Sequence, residues 1–410
     1  HINQMSLIKQ MGSRGDIGII ACNSGMPFAE GIMAGLERQH DKLHPSSGYL
    51  QRPNIHETLN KLERRVSGRR IPHSGLNLRK NLISLVKEEL FPRRGFSLIK
   101  SEEMQFPNGE IKAEILESIR GKDIYVVQDT ENKVTKYAID KNVIAMRHAM
   151  DAAWRAGAGS ITAVFPYFAY SRQEVARGRE CIAAARMIRD LEASHADHIL
   201  TLDIHNPAIA GVCSTTRFED LRASKNHLDY IRSNIPLDNL VVCSPDTGAV
   251  NRNRYFANRL QTDLAMIWKR RDYSGGGDVA EMMFLGDVRG KDVLFVDDMI
   301  ATAGTLVKAC KLVKDNGARD VYFVTSLPLF TDPAISRIDE AYRKGHIKQI
   351  IGTDAVFHGG EDFSRKHPWY SEVSVAGYFA KVIWNLNHDC SISDLLSDRT
   401  DGFTYDKQSA

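Results

Sequence analysis

The stretch VLFVDDMIATAGTLVKACKLV, residues 293–313, decides the fold. Four apolar residues run directly into Asp297 and Asp298, and a loop of small and hydroxyl residues then leads into a helical pattern of apolar residues. This order predicts a buried β-strand, a loop and an α-helix. Because open α/β sheets bind their ligands at the carboxyl ends of parallel strands, the pattern also predicts a ligand site at the two acids.

The loop that follows the acids has the composition of a phosphate site. A helix N-terminus presents free N–H groups and a partial positive charge, which favour an anion. Ala303 and Gly304 allow close approach of the backbone, and Thr302 and Thr305 add hydroxyl donors. Carboxylates repel a phosphate, so the two acids are expected to contact sugar hydroxyls or a bound Mg²⁺. The stretch therefore predicts a sugar-phosphate site; the alternative is an ordinary strand–loop–helix junction with a capping aspartate.

The sequence also contains an apparent internal repeat. RGKDIYVVQDT (residues 120–130) resembles RGKDVLFVDDM (residues 289–299). Each is followed by a helical pattern, a Gly-Ala turn and another apolar run, which is ITAVFPYF (161–168) in the first half and VYFVTSLPLF (321–330) in the second. A strand, a helix and a strand in this order predict a βαβ unit, and continuous apolar strands predict a parallel sheet covered on both faces. Two copies indicate a duplicated α/β architecture, unless the likeness of two strand-like segments is accidental.

Composition limits the class of protein. The chain has 410 residues, of which 43% are hydrophobic and 26% charged, as in a soluble globular protein with room for two domains. A net charge of +3 is too small to predict a nucleic-acid or membrane partner. The best apolar window, residues 17–36, contains Asn23 and Glu30, and no export leader is recognised. Six scattered cysteines without a CxxC pair fit reduced thiols in the cytoplasm.

Residues from about 38 to 95 interrupt the α/β pattern. They are rich in Arg, Lys and His and are punctuated by Pro45, Pro53, Pro72 and Pro92. The segment is expected to be an insertion or a small helical appendage. Its basic charge is expected to be a solvated face, with an interface or a regulatory anion site as the next alternative and nucleic-acid binding as the third.

Several motifs carry a resemblance to a known family. VDDMIATAGT (296–305) resembles the phosphoribosyl-binding motif shared by phosphoribosyltransferases and the ribose-phosphate pyrophosphokinases. The other motifs resemble those of the second family and occur in its order, over roughly residues 15–36 and 98–397: FPNGEI (106–111), SRQEVARGRECIAAARMI (171–188), LTLDIHNPAIAGV (200–212), VVCSPDTGAVNR (241–252), WKRR (268–271) and SVAGYFAKVIWNLNHDCSISDLL (374–396).

The resemblance implies a reaction and a fold. The family transfers the pyrophosphoryl group of ATP to the C1 hydroxyl of ribose 5-phosphate in the presence of Mg²⁺, and its members are homo-oligomers built from dimers and often hexameric. The implied fold is α/β, with two phosphoribosyltransferase-type, Rossmann-like domains that have parallel sheets and are related by pseudo-twofold symmetry. Domains at residues 15–220 and 221–397 are expected, the first with the basic helical insertion and the second with the ribose-phosphate loop.

The resemblance also implies roles for single residues. Phe106, Asn108 and Glu110 resemble the adenine-binding residues, which in the family come from a neighbouring subunit. Arg172 and Gln173 resemble residues that contact the nucleotide. Taken alone, Phe106 would be read as a core residue.

The remaining implied roles concern metal, ribose phosphate and catalysis. His205 and Asp246 resemble the pair associated with Mg²⁺, although a lone histidine after a strand is more often structural. Lys269 and Arg271 precede the glycine-rich YSGGGD and resemble the cations of a catalytic loop that closes over the transferred phosphate. A basic surface turn is the alternative for them. The implied ribose-5-phosphate site consists of Asp297, Asp298, Thr302, Ala303, Gly304 and Thr305.

Some positions depart from the family pattern. Ala301 stands where most members have a third acid, so one ribose contact is lost. Asn108 and Glu174 each replace an aspartate, and Arg177 and Arg179 stand in a stretch that usually contains lysines. Two alternatives therefore remain open: a catalytically silent regulatory subunit, and a phosphoribosyltransferase that consumes phosphoribosyl pyrophosphate (PRPP).

Overall fold

A computed structural model of the chain describes residues 14–43, 95–135, 137–271 and 279–396. Residues 43, 269–271 and 279–283 are described by their backbone alone. Most of the insertion expected at 38–95 lies outside the described residues. Its first six residues belong to a regular helix, and its bounds stay a prediction.

The first half of the chain builds a six-stranded sheet and a separate hairpin. Its elements are β1 (Ile17–Ala21), α1 (Met26–Leu43), β2 (Phe96–Leu98), β3 (Ser101–Gln105), β4 (Ile111–Ile115), β5 (Asp123–Val127), α2 (Ile139–Arg155), β6 (Ser160–Phe165), α3 (Ala183–Ala193), β7 (His198–Leu202) and β8 (Arg217–Leu221). The sheet has the order β2-β1-β5-β6-β7-β8, and all its neighbouring strands are parallel. β3 and β4 form the antiparallel hairpin.

The second half builds a seven-stranded sheet. Its elements are α4 (Ser224–Asn234), β9 (Leu240–Ser244), α5 (Val250–Leu260), β10 (Asp263–Arg271), β11 (Val279–Leu285), β12 (Asp292–Met299), α6 (Gly304–Asp315), β13 (Val321–Leu327), α7 (Ala334–Arg343), β14 (Gln349–Thr353), α8 (Glu361–Lys366), β15 (Tyr370–Val373), α9 (Ala376–Asn387) and α10 (Ser393–Leu396). The strand order is β11-β10-β9-β12-β13-β14-β15, and β11 alone is antiparallel to its neighbour. The expected α/β architecture with two parallel sheets is confirmed.

Both faces of each sheet are covered, which explains why the strands read as continuous apolar runs. On β12, Val293 and Phe295 pack in the cluster that contains α6 and α7. Leu294 and Val296 point the other way and pack with α4 and α5. Successive side chains of a strand alternate between its two faces, so a strand covered on both sides must be apolar throughout.

The internal repeat corresponds to a turn that has the same structure in both halves of the chain. The N–H of Gly121 donates to the carbonyl of Gly157 at 2.8 Å, and the N–H of Gly290 donates to the carbonyl of Gly317 at 2.8 Å. All four glycines have positive φ, between 71° and 90°. Glycine adopts this backbone conformation at little cost, so the repeated glycines hold the start of each central strand in the same way.

The last long helix returns to the first half of the chain. Phe379 and Ile383 of α9 are buried in the core of the first sheet. A Cβ atom built on Gly35 of α1 would lie 2.5 Å from that of Ala380, so small residues let the two helices pack closely. Asn387 donates to the carbonyl of Gly15 at 2.9 Å. The division at residues 220 and 221 remains a prediction. α9 lies after that boundary in the sequence but packs against the first sheet.

None of the helices in the described ranges is long and apolar enough to cross a membrane.

Candidate active site

The acid pair lies at the carboxyl end of β12, as the sequence predicts. Asp297 is half-buried and Asp298 is buried. One oxygen of Asp297 accepts the N–H of Asp298 at 2.9 Å, and one oxygen of Asp298 accepts the N–H of Met299 at 2.9 Å. These bonds to the backbone fix the orientation of both carboxylates at the edge of the sheet.

Two cationic or polar side chains meet the acid pair. His205, in the loop after β7, approaches Asp298 with 2.7 Å between Nδ1 and Oδ2. Arg252 of α5 places Nη1 at 3.7 Å from Asp297 Oδ1 and 3.6 Å from Asp298 Oδ1. The histidine comes from the first half of the chain and the acids from the second, so both halves build this site.

The environment of the site shifts the pKa values of its groups in different directions. Burial and the neighbouring charge of Asp298 raise the pKa of Asp297 to about 7. Burial also opposes ionisation of Asp298, but the hydrogen bond from His205 and the charge of Arg252 outweigh it, so the pKa of Asp298 lies below its usual value. The bond to Asp298 raises the pKa of His205. At neutral pH the site therefore holds an ionised Asp298 that contacts His205 and Arg252, beside a carboxyl group that titrates.

The loop after the acids leads directly into the first turn of α6. Ile300 donates its N–H to the carbonyl of Leu327 at 3.0 Å, and Arg337 Nη1 donates to the carbonyl of Thr302 at 2.9 Å. Ala303 has a φ of 59°, in the left-handed region, and no side chain caps the helix that starts at Gly304. A helix start without a side-chain cap can offer its first N–H groups to an anion.

The expected adenine residues lie at the tip of the β3–β4 hairpin. Phe106 donates its N–H to the carbonyl of Glu110 at 2.8 Å, and Glu110 donates its N–H to Asn108 Oδ1 at 3.2 Å. The Phe106 side chain is 42% exposed, so it is not a core residue. The hairpin rests on α2, where Lys141 donates to Gln105 Oε1 at 2.7 Å. The hydrogen bonds of the tip lie within its own turn, and they leave the Phe106 ring exposed.

The expected nucleotide residues Arg172 and Gln173 lie in the loop after β6 and are exposed. Arg172 lowers and Glu174 raises the pKa of His205, so this loop lies electrostatically next to the acid pair. Glu174 Oε2 is buried and has no hydrogen-bond partner among the described residues. The sequence assigned Glu174 only as a replacement for an aspartate; the structure brings it close to the site.

The expected catalytic residues Lys269 and Arg271 lie near the end of β10 rather than in a loop. The backbone of Lys269 is paired with Met282 of β11, and the register shifts between residues 270 and 271. Their side chains, and the glycine-rich stretch at 272–277, lie outside the described residues. Their catalytic assignment stays a prediction.

The two residues of the expected metal pair have different hydrogen-bond partners. His205 bonds to Asp298, while Asp246, in the loop after β9, accepts the N–H of Ala249 at 3.0 Å. In the described part of the chain, no group of three or more His, Cys, Asp or Glu side chains is arranged to hold a metal ion. The carboxylate oxygens of the acid pair and Asp246 are nonetheless the hard donors that Mg²⁺ prefers.

Sequence reasoning missed two arginines. Arg252 belongs to the motif VVCSPDTGAVNR, which was assigned as a whole and gave this residue no role. Arg337 lies 35 positions after Thr302, and no sequence signal connects the two. Arg252 lies on α5 and Arg337 on α7. Their approach to the site depends on how these helices pack, which the sequence alone does not reveal.

The raised pKa of Asp297 predicts a cost in stability. Between about pH 4 and about pH 7 the folded protein retains a proton on Asp297 that the unfolded chain releases. The free energy of unfolding therefore falls as the pH rises through this range. We expect Asp297→Asn to raise the Tm at pH 8 by several degrees and to change it little at pH 4, since about 1 kcal/mol shifts the Tm of such domains by roughly 2–4 °C. Thermal unfolding at both pH values measures this.

The matched control is Asp238→Asn, which changes an exposed aspartate outside the site. Its Tm should equal that of the wild type at both pH values. A Tm of Asp297→Asn below that of the wild type at pH 8 would contradict the assigned titration.

Two family models match successive parts of the chain. Residues 75–194 match the N-terminal domain of ribose phosphate pyrophosphokinase, and residues 215–363 match the phosphoribosyl transferase domain. Ribose-phosphate pyrophosphokinase of Chlorobaculum tepidum is 36% identical over 307 residues, which are 74% of this chain and 90% of that protein. Ribose-phosphate pyrophosphokinase 1 of Listeria monocytogenes is 36% identical over 75% of this chain and 93% of its own length.

A solved structure supports the fold. Phosphoribosylpyrophosphate synthetase from Mycobacterium smegmatis superposes with a TM-score of 0.69 over 91% of this chain and 99% of that chain, at 23% sequence identity.

Proposed function

The chain belongs to the ribose-phosphate pyrophosphokinase family, and we propose that it transfers the pyrophosphoryl group of ATP to the C1 hydroxyl of ribose 5-phosphate. The products are PRPP and AMP. The observation that carries the proposal is the acid pair of Asp297 and Asp298, placed one short loop before the start of α6 at Gly304.

The ribose 5-phosphate site follows from this arrangement. The first N–H groups of α6 and the hydroxyls of Thr302 and Thr305 bind the 5-phosphate, which the positive end of the helix favours. Ala303 and Gly304 leave room for the phosphate against the backbone. The ionised Asp298 and the neighbouring Asp297 accept hydrogen bonds from the ribose hydroxyls. Arg252 keeps the two carboxylates from repelling the phosphate as strongly as an unpaired acid pair would.

The reaction needs positioning and charge neutralisation more than covalent chemistry. The bond between the C1 oxygen and the β-phosphorus of ATP forms, the bond between the β-phosphorus and the oxygen of AMP breaks, and the C1 hydroxyl loses its proton. We assign Lys269 and Arg271 to the charge that develops on the transferred group. Their place at the end of β10, the strand next to β9, supports this role.

ATP is the phosphoryl donor of the family, and its adenine site is proposed at the hairpin tip. The outward-facing ring of Phe106 suits stacking on a base, with Asn108 and Glu110 at the base edge. Arg172 and Gln173 are proposed to contact the phosphates, since a guanidinium binds phosphate oxygens bidentately. Because the Phe106 ring is exposed at the hairpin tip, we propose that a second copy of the chain contributes this tip to the site, in a dimer-based homo-oligomer that reaches a hexamer.

Mg²⁺ is proposed as the metal, held by Asp246 and His205 together with the acid pair. The described residues provide too few ligands for a cage of protein groups alone, which fits an ion that binds mainly through substrate phosphates and water. When bound, it neutralises charge on the phosphates of ATP.

The proposed location is the cytoplasm, since all six cysteines are free thiols. No nucleic-acid or membrane partner is proposed for a chain with a net charge of +3.

The test is direct. Purified protein with Mg²⁺, ATP and ribose 5-phosphate should form AMP and PRPP in equal amounts. The alternative that a specific observation favours is a catalytically silent regulatory subunit, because Ala301 stands in place of the usual third acid. Nucleotide binding by calorimetry without either product would support that alternative. The other alternative, a phosphoribosyltransferase, would consume PRPP and release no AMP from ATP.

A further inference from the structure

The loop that carries His205 contains a second acid, Asp203, directly after the end of β7. Its side chain is buried, with 6% of its surface exposed. Its φ is 43°, in the left-handed region, which only a few per cent of residues other than glycine adopt. A backbone in this conformation persists where the surrounding contacts determine it. The contacts of Asp203 therefore indicate what this part of the loop is for.

Both oxygens of the Asp203 carboxylate contact groups of the protein. Oδ2 accepts the hydroxyl of Ser326 at 2.5 Å and the N–H of Ala223 at 3.0 Å. Oδ1 faces Arg222, whose Nη1 lies 3.4 Å away. Hydrogen bonds to an ionised carboxylate are stronger than those between neutral groups, so these contacts fix the orientation of the side chain.

The bond between Asp203 and Ser326 joins the two halves of the chain. Ser326 belongs to β13 of the second sheet, whereas Asp203 follows β7 of the first. The Ser326 side chain is also buried, with 7% of its surface exposed. A charge-assisted hydrogen bond between two buried groups is little weakened by competition from water. The bond therefore sets the distance between the carboxyl end of β7 and β13.

The contacts of Asp203 form part of a ring that includes the acid pair. His205 contacts Asp298, as described above. Thr325 precedes Ser326 on β13 and donates its hydroxyl to the carbonyl of Asp298 at 3.1 Å. The bond from Ser326 to Asp203 leads back to His205, two positions further along the chain. Each link is a hydrogen bond or a short stretch of backbone, so displacement of one member strains the others.

The bond between Asp203 and Ser326 also lies next to Arg252. All three residues line one cavity of about 240 Å³. Arg252 in turn contacts both carboxylates of the acid pair. The bond is therefore close to the candidate active site rather than at a remote point of the interface between the halves.

We propose that Asp203 is a positioning residue, whose bond to Ser326 holds the two halves at the separation that lets His205 reach Asp298. This inference rests on the proposed function, because the contact between His205 and Asp298 affects turnover only if the acid pair binds ribose 5-phosphate. Asp203 itself contacts no substrate, since its oxygens bond to protein groups. A misplacement of about 1 Å in an active site can cost a hundredfold in rate, so such a bond has a large effect at a distance.

Paired substitutions test the route through the histidine. Asp203→Asn should lower kcat for AMP formation about tenfold to a hundredfold, the range for groups that orient an active-site residue. His205→Ala should lower kcat by itself, and the addition of Asp203→Asn should lower it no further, because no imidazole remains to be positioned. If Asp203→Asn reduces kcat by the same factor with and without His205, the proposal is wrong.

Ser326 provides a second variant and its rescue. Ser326→Ala removes the hydroxyl and should lower kcat about tenfold. Ser326→Thr keeps the hydroxyl and should restore most of the activity, since the cavity that Ser326 lines has room for one methyl group. A wild-type kcat in Ser326→Ala would contradict the proposed role of the bond.

Asp123→Asn is the matched control. Asp123 is a buried aspartate at the start of β5, where it accepts hydrogen bonds from the Tyr125 hydroxyl at 2.8 Å and from Asn387 at 3.0 Å. Its replacement should lower the Tm and leave kcat unchanged, because it lies at the amino end of its strand. A loss of kcat equal to that of Asp203→Asn would show that any buried aspartate has this effect, which would overturn the specific role of Asp203.

Thermal unfolding of the same variants distinguishes failure of this inference from failure of the proposed function. If the wild type forms no AMP, the proposed activity is wrong, and the positioning is then read from the Tm. Asp203→Asn should lower the Tm less in His205→Ala than in the wild type, because the bond between His205 and Asp298 is already absent there. Equal decreases in the two backgrounds would overturn the positioning role whether or not the protein is active.

Discussion

Replacing Asp298 by asparagine should lower kcat/KM for ribose 5-phosphate by about a thousandfold. The carboxylate binds His205 at 2.7 Å and faces Arg252, so it is the ionised centre of the acid pair. Asparagine keeps the shape but removes the charge, which leaves His205 and Arg252 facing a neutral group. Loss of one preorganised polar contact in an active site costs on the order of 10²–10³ in rate, and this residue serves several contacts. Steady-state formation of AMP measures the effect.

The same strand offers a matched control. Asp292, at the other end of β12, binds Arg319 through two hydrogen bonds of 2.7 and 2.6 Å. Asp292→Asn should lower the Tm and leave kcat unchanged, because the pair lies at the amino end of the strand. An Asp298→Asn enzyme within tenfold of the wild type would rule out the central role of this carboxylate.

Replacing Lys269 by alanine should lower kcat by about two orders of magnitude or more, while the affinity for ATP changes little. The lysine is proposed to meet charge that develops only as the pyrophosphoryl group moves, so its loss affects the transition state more than the bound substrates. Single-turnover kinetics with both substrates saturating, together with calorimetric titration of ATP, separate the two effects.

Lys291→Ala is the control for this variant. Lys291 Nζ lies 3.1 Å from Asp263 at the start of β10, far along the strand from Lys269. It removes the same charge from a surface pair, and exposed pairs contribute roughly 0–1 kcal/mol. An unchanged kcat in Lys269→Ala would remove this residue from the catalytic machinery.

Much of the fold could be predicted because its signals are local. Apolar runs such as residues 293–296 must be strands buried on both faces, and the paired glycines at 121 and 290 mark the same turn in both halves. The position of α9 could not be predicted in this way. Its apolar pattern requires a buried face but does not say which surface covers it, and the sequence placed it with the second domain.

The same distinction holds for the site. The acids and the loop that follows them are contiguous in sequence, so a single motif pointed to both. Arg252 and Arg337 reach the site from separate helices, and their contacts depend on packing that no local pattern encodes. Residues 268–271 were assigned to a catalytic loop by resemblance to the family, whereas in the structure they form the end of β10.

The return of α9 to the first sheet sets an order for synthesis on the ribosome. Phe379 and Ile383 fill the core beneath β1 and β5, yet they are translated more than two hundred residues after those strands. While the second half of the chain is being translated, α9 has not yet been made. The face of the first sheet that α9 covers therefore lacks this helix. The newly made first half must therefore wait for almost the entire polypeptide before its core closes, and truncation before α9 leaves both halves translated but the first one open.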